Sequence, residues 1–121
     1  MTVAVRDSDF VATFLHELQY MTGALDEIDS ALDVGCDYGT RGYFEQRRAY
    51  WLRNVATLAA AFRAFCDEWL EADAEELLKR FAPTGNRWLA SAKDVEPDPV
   101  LIATLHGDLA NEYRRLVARL N

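Results

Sequence analysis

Cysteine is scarce in this 121-residue chain, which has only Cys36 and Cys66. Two are too few for a disulfide framework, and the second pair of ligands that a zinc site needs is missing. Long hydrophobic runs are absent too. Although half of the residues are hydrophobic, no run of them approaches the roughly 20 residues that cross a bilayer, so no membrane association is expected. Arg6, Asp7, Asp9, His16 and Glu17 interrupt the start of the chain before a signal-peptide core can form. A cytoplasmic protein with reduced thiols is the expectation. Basic charge is also in deficit, with 13 Lys and Arg against 20 Asp and Glu and a net charge of −7, which opposes nonspecific binding to duplex nucleic acid.

What is present suits one folded unit. The hydrophobic half excludes intrinsic disorder, and the length predicts a single domain over residues 1–121. Such a chain buries roughly two-thirds of its unfolded surface, enough for one core. Its pattern is helical throughout. Phe10, Val11, Phe14, Leu18, Met21, Leu25, Ile28 and Leu32 recur in steps of three and four, predicting a helix from about Ser8 to Leu32. Phe44, Trp51, Val55, Leu58, Phe62, Phe65 and Trp69 predict a second, running to about Glu71. Between them Gly35, Gly39 and Gly42 predict a connection over Asp33 to Gly42.

Further along, Asp73 can cap a short helix from Ala74 to Phe81, and Trp88 to Lys93 suits one or two more turns. Asp98 followed by Pro99 marks the clearest helix start, because the carboxylate accepts free N–H groups where proline has none to offer. The last stripe is Ile102, Leu105, Leu109, Tyr113, Leu116 and Leu120. Three long helices, one or two short ones and no strand alternation predict an all-α antiparallel helical bundle. With the first turn centred on Tyr38, Asp29 would face Arg47 and Thr22 would face Asn54, forming two polar layers in the hairpin. Such layers fix register, although Arg47 could instead anchor an anion in a small pocket.

Sites for chemistry are missing as well. Neither His16 nor His106 follows a Glu by three residues, so the di-iron bundle motif is absent. His16 lies on a solvated face, the one position open to a phosphotransfer reading, and His106 lies at the edge of its stripe. Asp37 beside Cys36 disfavours a thiolate there. Gly35 to Thr40 lacks the Lys of a phosphate loop. No catalytic residue, metal site or cofactor is expected, and the protein is not expected to be an enzyme.

Charge is distributed in blocks. Residues 1–40, 41–63, 64–78 and 79–121 carry −7, +4, −6 and +2. The basic block interleaves Arg41, Arg47, Arg48 and Arg53 with Tyr38, Tyr43, Phe44, Tyr50 and Trp51. An antiparallel hairpin sets that block against the first acidic one, leaving Asp67, Glu68, Glu71, Asp73, Glu75 and Glu76 uncompensated. The expected function is therefore that of an acidic accessory subunit, inhibitor or immunity-type protein binding a basic protein face, with Tyr20, Tyr38 and Tyr43 as apolar anchors. Self-association as a homo-oligomer is equally compatible, because Tyr43, Tyr50, Leu52 and Leu70 lie outside the centre of the second stripe. The alternative is a subunit of a nucleic-acid assembly using Arg41, Arg47, Arg48 and Arg53 on the phosphate backbone.

Overall fold

The computed structural model describes residues 5–35, 37–70, 73–81 and 86–120, and the side chains of these apart from 5–10, 38, 81, 86 and 120. Helix α1 spans Val5–Val34, α2 Tyr38–Trp69, α3 Ala74–Phe81, α4 Asn86–Ala92 and α5 Pro99–Leu120. The described residues are all-α, with no strand. None of these helices is long and apolar enough to cross a membrane.

The connection after α1 is shorter than the glycines suggested. Gly35, at φ 97°, closes α1 in the left-handed region that glycine enters without penalty. Asp37 then starts α2 by accepting the Thr40 N–H at 2.8 Å, and this bond holds its carboxyl below the usual range. Gly39 and Gly42 consequently lie inside α2. Capping by Asp37 outweighs the modest cost of two glycines near the start of the helix.

The other caps fall where acidic residues precede the helices. Asp73 accepts the Glu75 N–H at 3.0 Å before α3, and Asp98 accepts the Val100 and Leu101 N–H groups at 3.0 and 3.3 Å before α5. Asp98 is held from behind as well: its own N–H donates to the Thr57 hydroxyl at 3.1 Å, and that hydroxyl donates to the Arg53 carbonyl at 2.8 Å. Buried Thr57 thus ties the start of α5 to the middle of α2.

Contacts set the directions of the long helices. Phe14 packs on Phe62 at 4.9 Å between ring centres, Tyr20 on Trp51 at 6.0 Å, and Asp29 pairs with Arg48 at 3.2 Å. Numbers rise in α1 as they fall in α2, so these two lie antiparallel. Helix α5 instead runs in the sense of α2, since Asp98 adjoins Thr57 while Tyr113 meets Phe65 at 5.6 Å and Trp69 at 6.2 Å. The return is made by α3 and α4: Glu75 pairs with Arg63, and Trp88 reaches back to Arg48. An antiparallel arrangement of all three long helices is therefore not what these contacts describe.

Helix α2 is the centre of the molecule. From Leu52 to Cys66 it buries Val55, Ala56, Leu58, Ala59, Ala61, Phe62 and Phe65, more than one stripe, because α1, α3, α4 and α5 all pack around it. A helix apolar on most sides is one that neighbours enclose. The α1 stripe is rotated from the expected one: Val11, Leu15, Leu18, Thr22, Leu25 and Ile28 are buried, while Phe14 and Met21 are only half-buried. Phe10 and Leu120 lie outside the described side chains.

Cys66 is wholly buried, and this burial, with Asp67 and Asp73 nearby, pushes its thiol up to about 12. With Cys36 replaced by Ser, a thiol reagent at pH 8 is expected to modify Cys66 only as fast as the chain opens. Rapid stoichiometric labelling of the folded protein would contradict that burial.

Candidate functional site

Two clusters arise where α1 meets the first half of α2, and one position along α2 separates them. Helical geometry turns successive residues by about 100°, so Arg47 and Arg48 leave α2 in different directions.

Arg48 points towards α4. Its Nε donates to Asp29 Oδ1 at 3.2 Å, and its guanidinium lies over the Trp88 ring at 5.2 Å. From α4, Trp88 Nε1 donates to Asp26 Oδ1 at 2.8 Å, and Arg87 reaches the same oxygen at 2.6 Å while stacking on Trp88 at 4.4 Å. The cluster clasps α1, α2 and α4 together. Asp29 therefore pairs with Arg48, not with Arg47 as expected. The turn centre is displaced by half a residue, enough to exchange neighbours on a helix. Thr22 and Asn54 do not require a polar layer either, because the buried Thr22 hydroxyl donates to the Gln19 carbonyl of its own helix at 3.0 Å.

The Trp88 N–H, followed by the hydrogen bond and charge of Arg87, holds the Asp26 carboxyl below its ordinary 3.8 against an opposing pull from burial. A lowered folded pKa contributes stability that is fully present above the unfolded value and is lost as pH falls through the folded one. Asp26→Asn is therefore expected to lower Tm at pH 7 and to lose its effect progressively below pH 3.8. Thermal melts of both proteins down to pH 2 check this; a Tm gap that stayed constant with pH would contradict it.

Arg47 points the other way, onto an open face. Its guanidinium lies over Tyr50 at 4.8 Å and over Trp51 at 5.6 Å. Tyr50 and Tyr20 both meet Trp51 edge-on, at 5.3 and 6.0 Å, and Tyr43 meets Phe44 at 5.6 Å. Tyr20, Tyr43 and Tyr50 are 67, 58 and 52 % exposed. Phe44 and Trp51 are half-buried beneath them. Glu17 and Glu27 stand three before and seven after Tyr20, on the same side of α1. The result is an aromatic surface with a stacked cation and an acidic margin.

The acidic stretch is less open than its sequence suggests. Glu75 pairs with Arg63. His106 Nε2 stands 2.8 Å from Glu68 Oε2, although not in hydrogen-bond alignment. Asp73 is occupied as a cap, which leaves Asp67 and Glu76 exposed. Glu71 and the Tyr38 side chain lie outside the described residues. Among the four arginines proposed for nucleic acid, Arg41 pairs with Glu45 at 3.2 Å, Arg48 with Asp29, and Arg53 is exposed.

Trp51, expected on the apolar stripe of the second helix, is half-buried and packs against the core, whereas the Trp88–Asp26 clasp, which joins residues 62 positions apart, was not foreseen. No local pattern signals such a bond. Among the described residues, no three His, Cys, Asp or Glu side chains are grouped to hold a metal ion. No family model, curated protein or solved structure matches the chain. What the site does has to follow from its own geometry.

Proposed function

We propose that the chain is a binding protein rather than an enzyme, and that it docks a partner protein on the aromatic face of the α1–α2 hairpin. The observation that carries this reading is the exposure of Tyr20, Tyr43 and Tyr50 around half-buried Trp51, with Arg47 stacked among them. Tyr, Trp and Arg dominate binding energy at protein interfaces, and aromatic contacts already in place need little ordering on association. The partner surface is basic. Exposed tyrosine rings attract cations through their faces, Glu17 and Glu27 border the patch, and the net charge of −7 steers a basic partner towards it. Asp67 and Glu76 act in that steering and not as the contact itself. An accessory subunit, an inhibitor or an immunity-type protein would each use such a face.

The nucleic-acid reading has less support, because Arg41 and Arg48 already hold carboxylates. Capture from an extract of the native host, with the bound protein cross-linked in place, tests the proposal. A basic protein cross-linked near Tyr20 and Tyr50, and released as salt rises, is the expected result. Recovery of nucleic acid or of an acidic protein would overturn it, as would cross-links confined to α5.

A further inference from the structure

A groove runs between α1 and α5. It encloses about 590 Å³ and is lined by Phe14 and Glu17 of α1 and by Leu109, Glu112, Leu116 and Arg119 of α5, beside Thr13. That volume lies within the range of small-molecule sites, which are mainly apolar with a few placed polar groups. Phe14 is anchored from behind by Phe62 and Leu109 is buried, so the apolar wall is held by the core. Glu17 and Glu112 reach the groove from opposite helices, both exposed, and neither forms an ion pair among the described residues. Arg119 lies seven residues beyond Glu112, about 10 Å further along the axis at 1.5 Å per residue. Its exposed head can stay in water while its stem covers apolar surface.

We propose that this groove binds a small apolar molecule bearing one cationic nitrogen, a lipophilic amine. The hydrocarbon lies against Phe14, Leu109 and Leu116, and the ammonium pairs with a carboxylate of the lining, Glu17 or Glu112. Charge complementarity selects the head group: two carboxylates, Glu17 and Glu112, outweigh one guanidinium in the lining, in a chain that is already anionic. Glu17 borders both this groove and the aromatic docking face, but the apolar wall of Phe14, Leu109 and Leu116 belongs to the groove alone.

Decylamine, decan-1-ol and decanoate share one tail and differ only in charge, so titrating each below its micelle concentration isolates the head group. Calorimetry gives the affinities, and amide chemical shifts locate the ligand. Decylamine is expected to bind with shifts around Phe14 and Leu116, roughly tenfold tighter than decan-1-ol, with decanoate weakest. Glu17→Gln with Glu112→Gln should bring decylamine down to the affinity of the alcohol and leave the alcohol unchanged. Both residues are exposed, so this variant retains the fold. Leu116→Trp, with folding checked by circular dichroism, should exclude all three ligands. Decanoate binding as tightly as decylamine, unchanged amine affinity in the double Gln variant, shifts mapping elsewhere, or no binding of decylamine would each overturn the proposal.

Discussion

Replacing Trp88 with Ala is expected to lower the unfolding free energy by about 3–5 kcal/mol, the range for truncating a large buried aromatic. Trp88 is 2 % exposed, the largest of the fully enclosed side chains with Phe62 and Phe65. Its carrier is a seven-residue helix, α4, too short to hold itself in water. Three things depend on the ring: the packing of α4 against α2, the N–H bond to Asp26, and the platform on which Arg48 and Arg87 stack. Ala removes them together and leaves a cavity that neighbouring helices cannot fully close. Trp88→Phe keeps most of the volume and loses only the donor, so it should cost less than half as much. Urea unfolding of the three proteins measures both steps. A loss for the Ala variant below about 1 kcal/mol would mean that α4 is not held by this residue.

Changing Tyr20, Tyr43 and Tyr50 together to Ala is expected to weaken partner binding at least about a hundredfold, since truncation of interface hot spots commonly costs 2 kcal/mol or more each. Stability should barely move. All three side chains are more than half exposed, and surface substitutions of this kind usually stay within about 0.5 kcal/mol apiece. Trp88→Ala should destabilise the chain without informing on binding, whereas the tyrosine variant should melt close to the wild type and fail to bind. If the tyrosine variant lost binding only in proportion to lost stability, the face would be structural.

Local signals made much of the architecture legible. Asp98 with Pro99, and Asp73 ahead of an apolar run, placed two helix starts because a cap acts within one turn. Asp37 misled in the opposite sense: glycine content argued for a loop, yet one carboxylate on the Thr40 N–H begins the helix there. Periodicity found both hairpin helices but not which flank of each stripe is deepest. That depends on where α3 and α5 land, and Leu15 proved more central than Phe14. The direction of α5 was hidden for the same reason, being set by Thr57 and Tyr113 through contacts distant in sequence.

The candidate site was legible in its composition but not in its geometry. Arginine and aromatics are visible in one segment, and Tyr20 and Tyr43, the proposed anchors, are exposed in the structure. Which arginine is engaged in the fold and which faces outward is decided by one step of helix, 100° between Arg47 and Arg48. The acidic stretch misled because its partners, Arg63 and His106, come from a preceding turn and a later helix. Block charge counts do not see such pairs.

Hydroxyl-radical footprinting of the free protein and of its complex tests the docking face most directly, because tyrosine and tryptophan side chains oxidise where water reaches them. Tyr20, Tyr43 and Tyr50 are expected to lose reactivity together on binding, while the exposed surface around Asp67 and Glu76 stays as it was. Unchanged oxidation of the three tyrosines in a saturated complex, with protection confined to the end of α2 and to α3, would contradict it.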